Sequence, residues 1–308
     1  MGTTRTPARV ARADVGPRGR RAARRERLVG RLATLGPGLG YLTVFMLVPL
    51  ALVLSYTLFH RGRFGGIVHE VSADNFSRVA DGLYLGVIWT SVKLAAITTL
   101  LALLLGYPTA YLIARLPRAW RTAALVLVVL PFWTNFLIRT YAWIILLNSE
   151  GVINRTLTGI GIIDRPLELL YTQGAIVGGL LYAYLPLMVL PLYAAIERLD
   201  PQLREASANL GARPARTFWS VTLPLTLPGV LTGCIFVFVP SLGNFVIPEL
   251  LGGGRTVMVG NLIRDQFLKA RDWPFGSTLA LVVIALLVLL LMAQAWAARR
   301  LADGGDRA

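Results

Sequence analysis

Charge is scarce in this chain. Only 15% of its 308 residues are Asp, Glu, Lys or Arg, where a soluble domain carries about a quarter. Cysteine is nearly missing, and the single Cys234 excludes an internal disulfide and a thiolate metal site. Its bland reading is a small packing residue. The only lysines, Lys93 and Lys269, follow Val and Leu, so the Gly-Lys-Ser/Thr of a phosphate-binding loop does not occur and ATP cannot be held by that device. The two histidines, His60 and His69, share one polar segment without helical metal spacing. His69-Glu70 opens like a zinc-protease motif but lacks the second histidine four residues on. Both fall in the first outer loop, so no Ser/His/Asp set is possible on the cytoplasmic face. These absences argue against an enzyme and against a metal or organic cofactor. The apolar runs also lack Asp and Glu, apart from Glu249 at the edge of one. Carriers coupled to protons or sodium place carboxylates within the membrane, so energy for any transport must come from elsewhere.

What the chain does have is length of apolar sequence. Hydrophobic residues make up 55% of it, and mean hydropathy is +0.62. The apolar residues come in blocks, not periodic stripes, and a bilayer crossing takes about 20 of them. Six blocks qualify: Leu35–Phe59, Leu85–Ala114, Thr122–Leu147, Gly174–Ile196, Leu223–Val246 and Ser277–Ala297. The fold class expected is an all-α polytopic membrane protein with six transmembrane helices. The organisation expected is a basic tail over 1–33, a first helix and outer loop over 34–84, a five-helix core over 85–298, and a short tail over 299–308.

A net charge of +15 invites a nucleic-acid reading, but its distribution points to membrane topology. The tail up to Arg31 holds ten of the 31 basic residues. Together with Arg115–Arg121, the stretch from Arg198 to Arg216 and the C-terminal tail, that makes twenty on one side of the membrane. The alternate loops hold nine, offset by acids. Positive loops stay inside, so both termini and the Pro201 region are expected in the cytoplasm, with the lipid bilayer, not nucleic acid, as partner. The basic run before Leu35 resembles a secretion signal, but its apolar segment is too long and lacks a small-residue cleavage site. A retained first span follows. Two cations intrude into the blocks: Lys93, expected to snorkel, and Arg139, deeper and expected to be paired. Asn75-Phe-Ser77 and Asn154-Arg-Thr156 have the form of glycosylation triplets in outer loops.

The stretch from Pro201 to Gly229 breaks the hydrophobicity. Asp200 is a good N-cap, Pro201 suits the first helical position, and Gly211 supplies a left-handed C-cap. Leu203, Ala206 and Leu210 fall on one face of this short helix, and Arg213-Pro214 starts a second, carrying Phe218 and Trp219 at the interface. Three turns are too few to be stable alone in water, so the helix needs a partner surface. Its other face offers Arg204, Glu205 and Asn209 with small Ala206 and Ala208. That face suits either a lipid-interface connector or docking in a protein cleft.

The run Glu205-Ala206-Ser207-Ala208-Asn209-Leu210-Gly211, followed by Leu223-Pro224, resembles the Glu-Ala-Ala loop of bacterial ABC importer permeases of type I. Ser207 stands where that family usually has alanine. The resemblance implies that this helix, over 200–211, is a coupling helix seated in a cleft of a cytoplasmic ATPase, with Arg204, Glu205, Ala206, Ser207, Asn209, Leu210 and Gly211 at the contact. From about Leu85 onward, "LLGYPTAYLIARLP", "LPFWTNFLIRTYAW", "PLMVLPLYAAIERLD" and "GNLIRDQFL" are similar to the first permease of spermidine/putrescine importers. That likeness implies a bacterial inner-membrane protein working with a second homologous permease, two ABC ATPase subunits and an extracytoplasmic substrate-binding protein. Relatives of this type also carry other small solutes.

A translocation path needs polar atoms and bendable helices at mid-depth. "PFWTN" at Pro131–Asn135, Tyr182 and Tyr184 beside Pro186, and "PSLGN" at Pro240–Asn244 supply both. Candidate path residues are Trp133, Asn135, Tyr182, Tyr184 and Asn244, with Glu249 at the outer mouth. Aromatic faces suit a polycation, at about 0.5–2 kcal/mol per cation–π contact. Arg139 would repel one, and this favours a weakly binding conduit whose selectivity resides in the binding protein. A stand-alone carrier or channel is the rival class.

Overall fold

The structure is a computed structural model that describes the backbone of residues 17–62 and 66–305, and the side chains of 35–62 and 66–296. The basic tail read over 1–33 and the tail over 299–308 therefore lie outside the residues whose side chains are described. The chain divides into two units, Met1–Ser55 and Tyr56–Ala308. The first contains helix α1 (Pro17–Tyr56) up to its last residue, apolar from Leu35.

The second unit begins with a two-residue hairpin, β1 (His60–Arg61) paired antiparallel with β2 (Ile67–Val68). Helices follow in order: α2 (Asp74–Val79), α3 (Gly82–Arg115), α4 (Arg118–Val129), α5 (Phe136–Leu147), α6 (Val152–Gly159), α7 (Gln173–Glu197) and α8 (Pro201–Asn209). Then come α9 (Pro214–Thr217), α10 (Leu223–Gly243), α11 (Val246–Gly252), α12 (Val259–Leu268) and α13 (Trp273–Gly305). Six segments among the described residues are long and apolar enough to cross a membrane.

One of the six differs from the sequence expectation. Thr122–Leu147 is not a single helix: α4 and α5 are separated by a 3-10 turn at Leu130–Trp133 and extended residues Thr134 and Asn135. Each twelve-residue piece is about 18 Å long, short of a ~30 Å hydrocarbon core. The crossing segment is instead Phe136–Gly159, which takes in α5 and α6. The break has a local cause. Pro131 removes a helical donor, and Asn135 accepts from the Leu137 and Ile138 amides at 2.9 and 3.3 Å, starting a new helix.

The centre of the unit is formed by α3, α7 and α10. Helices in lipid gain little from burying apolar surface, so close backbone approach through small residues takes over. Fully buried Met188 of α7 lies between Gly106 of α3 and Gly233 of α10. Gly229 of α10 rests on α7 itself: a Cβ there would overlap that of Ala195 and sit 3.0 Å from the Pro191 carbonyl oxygen. Tyr107 and Thr226 share a buried hydrogen bond of 2.9 Å across the α3–α10 seam.

The end of the bundle that carries the α3 and α7 N-termini is held by polar clamps. Asp272 is buried, caps α13 through the Phe275 amide at 3.1 Å, and pairs at 3.1 Å with Arg78 of α2. The Arg78 guanidinium also lies 3.9 Å from the Phe275 ring centre. Asn75 and Asn154 belong to this framework as well. Asn75 is 3% exposed and donates to the Thr57 and Phe59 carbonyls, while Asn154 is 1% exposed and both donates to and accepts from the Leu167 backbone. Neither amide is presented for modification; both tie loops.

Candidate functional site

Helix α8 is specified at both ends by its own residues. Asp200 accepts from the Gln202 amide at 2.9 Å, and Pro201 opens the helix. At the other end Gly211 has φ +78° and donates to Ala208, while the Ala212 amide donates to Ser207. These two bonds are the Schellman pattern, which closes a helix on a left-handed residue. Ser207 also shares a 2.9 Å hydrogen bond with Thr217, tying α8 to α9. The one departure from the alanine pattern thus adds a brace.

The faces of α8 are arranged otherwise than expected. Arg204 and Ser207 are half-buried on the side toward the bundle, and Arg204, Glu205 and Ala208 line a 790 Å³ cavity. Leu203, Ala206, Asn209 and Leu210 are exposed, Leu210 at 89%. The presented surface is therefore small and apolar with the amides of Gln202 and Asn209, and the arginine belongs to the inner side. Beyond α9 the chain enters a π-helical turn at Phe218–Thr222 before α10. Phe218 stacks edge-on against Tyr107 and Tyr111, packed inward and not at an interface, whereas Trp219 is exposed.

The path candidates separate into three places. Tyr184 and Asn244 meet: the Asn244 amide donates to the tyrosine oxygen at 2.8 Å, and its carbonyl accepts from Ile247 at 2.9 Å to begin α11. The fifth span is accordingly broken at Asn244 and Phe245, and the Phe245 carbonyl accepts both from the Glu249 amide at 3.2 Å and from Asn261 of α12 at 2.7 Å. Tyr182 lies with Trp143, ring centres 5.8 Å apart, and 5.5 Å from the Arg139 guanidinium. Arg139 is paired, though with no acid. It donates to the Pro131 carbonyl at 2.7 Å and sits 5.6 Å from the Phe136 ring. The carbonyl opened by the α4–α5 break takes the place of a counter-ion. Asn135 is occupied by its cap, and Trp133 is 81% exposed on the 3-10 turn.

Glu249 on α11 is bound by Arg264 of α12. Arg264 is 17% exposed, chelates Asp265 through Nε and Nη2 at 3.0 and 2.7 Å, and lies 5.4 Å from the Phe245 ring. Lys269 reaches Asp265 at 3.0 Å. Burial pushes the Asp265 carboxyl up, but the bonds from Arg264 and Lys269 outweigh it and hold it below the usual carboxylate range. Its contribution to stability is therefore complete above that range and lost only as pH falls beneath it. Arg264 was not among the sequence candidates. Asp265 and Lys269 carry an i, i+4 signature, but the Arg264–Glu249 contact spans fifteen residues and a loop.

A family model described as binding-protein-dependent transport system inner membrane component matches residues 102–303. The spermidine/putrescine transport system permease protein PotB of Escherichia coli is 39% identical over 262 residues, covering 85% of this chain and 95% of that protein. Its namesake in Haemophilus influenzae is 40% identical over 251 residues, 82% and 88% of the two chains. The molybdenum transport system permease protein ModB of Mycobacterium bovis is 35% identical over 207 residues, 65% of this chain and 75% of that one. Among solved structures, a chain of a bacterial ABC transporter that imports the acidic polysaccharide alginate superposes with a TM-score of 0.74 at 17% identity, covering 92% of this chain and 99% of that one.

Proposed function

The chain belongs to the family of binding-protein-dependent transport system inner membrane components, and on that premise we propose that it is the permease subunit of an ATP-driven importer of polyamines. The observation that carries the reading is the 39% identity with a spermidine/putrescine permease, which extends over 85% of this chain. Substrate arrives on an extracytoplasmic binding protein and crosses between this chain and a second, homologous permease. Two cytoplasmic ATPase subunits supply the energy.

The geometry supports a division of labour. The exposed Leu203, Ala206 and Leu210 of α8 seat in an ATPase cleft. The closed ends and the Ser207–Thr217 bond make α8 and α9 one lever. Its motion passes into α10, whose π turn, Pro228, Pro240 and break at Asn244 allow bending. Tyr182 and Trp143 offer aromatic faces to an ammonium group. The absence of a deep carboxylate and the charge of Arg139 keep that binding weak, so the external binding protein selects the cargo. A second reading, import of another small solute, is favoured by Arg139 itself, a cation beside Tyr182, and by the 35% identity with a permease named for molybdenum transport.

Labelled spermidine and putrescine uptake by the complete complex in proteoliposomes tests the proposal. Uptake is expected only with the binding protein outside and ATP at the ATPase. Uptake without ATPase subunits would return the chain to the carrier class. A functioning complex that takes up neither amine would sink the cargo assignment alone.

Topology is tested separately. With twenty basic residues assigned inside, a reporter fused after Ala308 is expected to report cytoplasm, and one inserted after Gly159 the exterior. The reverse at either site overturns the orientation.

The Glu249–Arg264 pair gives a third expectation. Glu249→Gln is expected to lower polyamine uptake a few-fold, since partly exposed charges act at about 1 kcal/mol or less, and more so at low salt. Arg264→Gln frees Glu249, while Asp265 keeps Lys269, and is expected to act in the opposite direction on substrate capture. Initial rates unchanged in both variants at low ionic strength would remove the pair from the path.

A further inference from the structure

The 790 Å³ cavity behind α8 is not used by the path and faces away from the presented side of the coupling helix. Its walls come from five places in the chain: Tyr111 and Arg115 at the end of α3, Arg121 on α4, Glu197 at the end of α7, Arg204 and Glu205 on α8, and Thr217 and Phe218 at the join of α9 and the π turn. Three arginines face two carboxylates. One carboxylate is taken, since Glu197 pairs with Arg121 at 2.9 Å. Arg115 lies over the Tyr111 ring at 4.3 Å and bonds its hydroxyl, so its side chain is positioned without being neutralised. Among the described residues neither Arg115 nor Arg204 pairs with an acid, and the buried Arg121 Nε has no hydrogen-bond acceptor. A cavity that gathers guanidinium groups from three helices, two of them lacking a counter-ion, is short of an anion with several oxygens.

The neighbours of the cavity say where that anion sits. Trp120 and Trp219 are 70% and 67% exposed, and each adjoins a lining residue, Arg121 and Phe218 respectively. Exposed indoles flanking apolar spans mark the level of lipid headgroups.

From the juxtaposition of Arg115, Arg121 and Arg204 around this cavity, we infer a binding site for a phosphate-bearing anion that bridges α8 to the ends of α3 and α4. The anion is a phospholipid headgroup or a free phosphate. Bound there, it braces the coupling helix against the membrane bundle, so the lever described above transmits motion best when the site is filled. The location inside the cell rests on the coupling-helix reading, whose own failure shows as the absence of ATP-driven uptake.

The complete transporter, reconstituted in nanodiscs of phosphatidylcholine with or without phosphatidylglycerol, tests the inference. Native mass spectrometry reads the phosphatidylglycerol retained by the complex. Retention by the wild type is expected to exceed that of the double variant Arg115→Gln/Arg204→Gln by about tenfold, the scale of losing charge-assisted bonds. The Arg115→Lys/Arg204→Lys variant keeps the charge and is expected to keep most of the retention. In phosphatidylcholine alone, inorganic phosphate is the second probe. If it raises the melting temperature of the wild type and not of the glutamine variant, the source is soluble phosphate and the site stands. If retention differs and phosphate has no effect, the source is the lipid. If the double variant fails to assemble, Arg115→Gln alone, at an exposed position, carries the same comparison. The inference falls if neither probe separates wild type from glutamine variants, or if lysine does as badly as glutamine. It falls equally if the variants shed ATPase while neither anion has an effect, since the arginines would then belong to the ATPase surface.

Discussion

Gly211→Val is expected to reduce transport by about tenfold or more while the permease still inserts and assembles with its partner permease. Gly211 has φ +78°, and the space around a Cβ there is open, so the defect is one of backbone alone. A residue with a Cβ loses about 1–2 kcal/mol in this region, and a β-branched one is poorly tolerated. The chain escapes by undoing the bonds from Gly211 to Ala208 and from Ala212 to Ser207. That loosens the turn on which α9 leaves α8 and breaks the geometry of the Ser207–Thr217 contact. Asparagine visits the left-handed region more readily than other residues, so Gly211→Asn is expected to retain most activity. The measurement is ATP-driven uptake beside ATPase co-purification. Equal activity in wild type and valine variant, or equal damage by Asn and Val, would show that the left-handed cap does not govern coupling.

Gly229→Leu is expected to abolish folded permease, and Gly229→Ala to cost about 1–3 kcal/mol, the usual range for overpacking a rigid contact. The obstacle is a methyl group and a carbonyl on α7, neither of which can rotate away. Gly233→Ala is expected to be milder, because there the neighbour at 2.7 Å is the sulfur of Met188, which has rotamers to use. Gly86→Ala meets open space and serves as the neutral control. Removing the opposing methyl with Ala195→Gly should recover part of the loss in a Gly229→Ala background. Thermal melting of detergent-solubilised permease reads all four. A Gly229→Ala melting point equal to that of the wild type, or no recovery in the double variant, would contradict the α7–α10 contact.

Several features were legible because their causes are short-range. A crossing helix needs only a long apolar run, so six such segments are readable as sequence. Asp200, Pro201 and Gly211 act on backbone groups within a turn of themselves, and the ends of α8 follow from those residues alone. The Glu205–Gly211 run with Leu223-Pro224 likewise carried the family resemblance by spacing along the chain.

Other features depended on residues distant in sequence. The break at Pro131–Asn135 looked like an interruption within one span. The Pro131 carbonyl accepts from the Thr134 amide and hydroxyl within the turn itself and from Arg139, whose side chain reaches it once the turn has formed. Arg139 was expected to need a partner, and no sequence pattern names a backbone carbonyl as that partner. No spacing along the chain names a partner for Glu249; the placement of α12 against α11 gives it Arg264. Periodicity groups the residues of α8 by face but leaves open which face meets the bundle. The Ser207–Thr217 bond sets the face of α8 that meets the chain, so Arg204 lines the cavity and Leu210 is left exposed. Local propensity and hydrophobic length act along the chain and can be read there, whereas ion pairs, helix faces and cavities are decided by distances that exist only once the helices have packed.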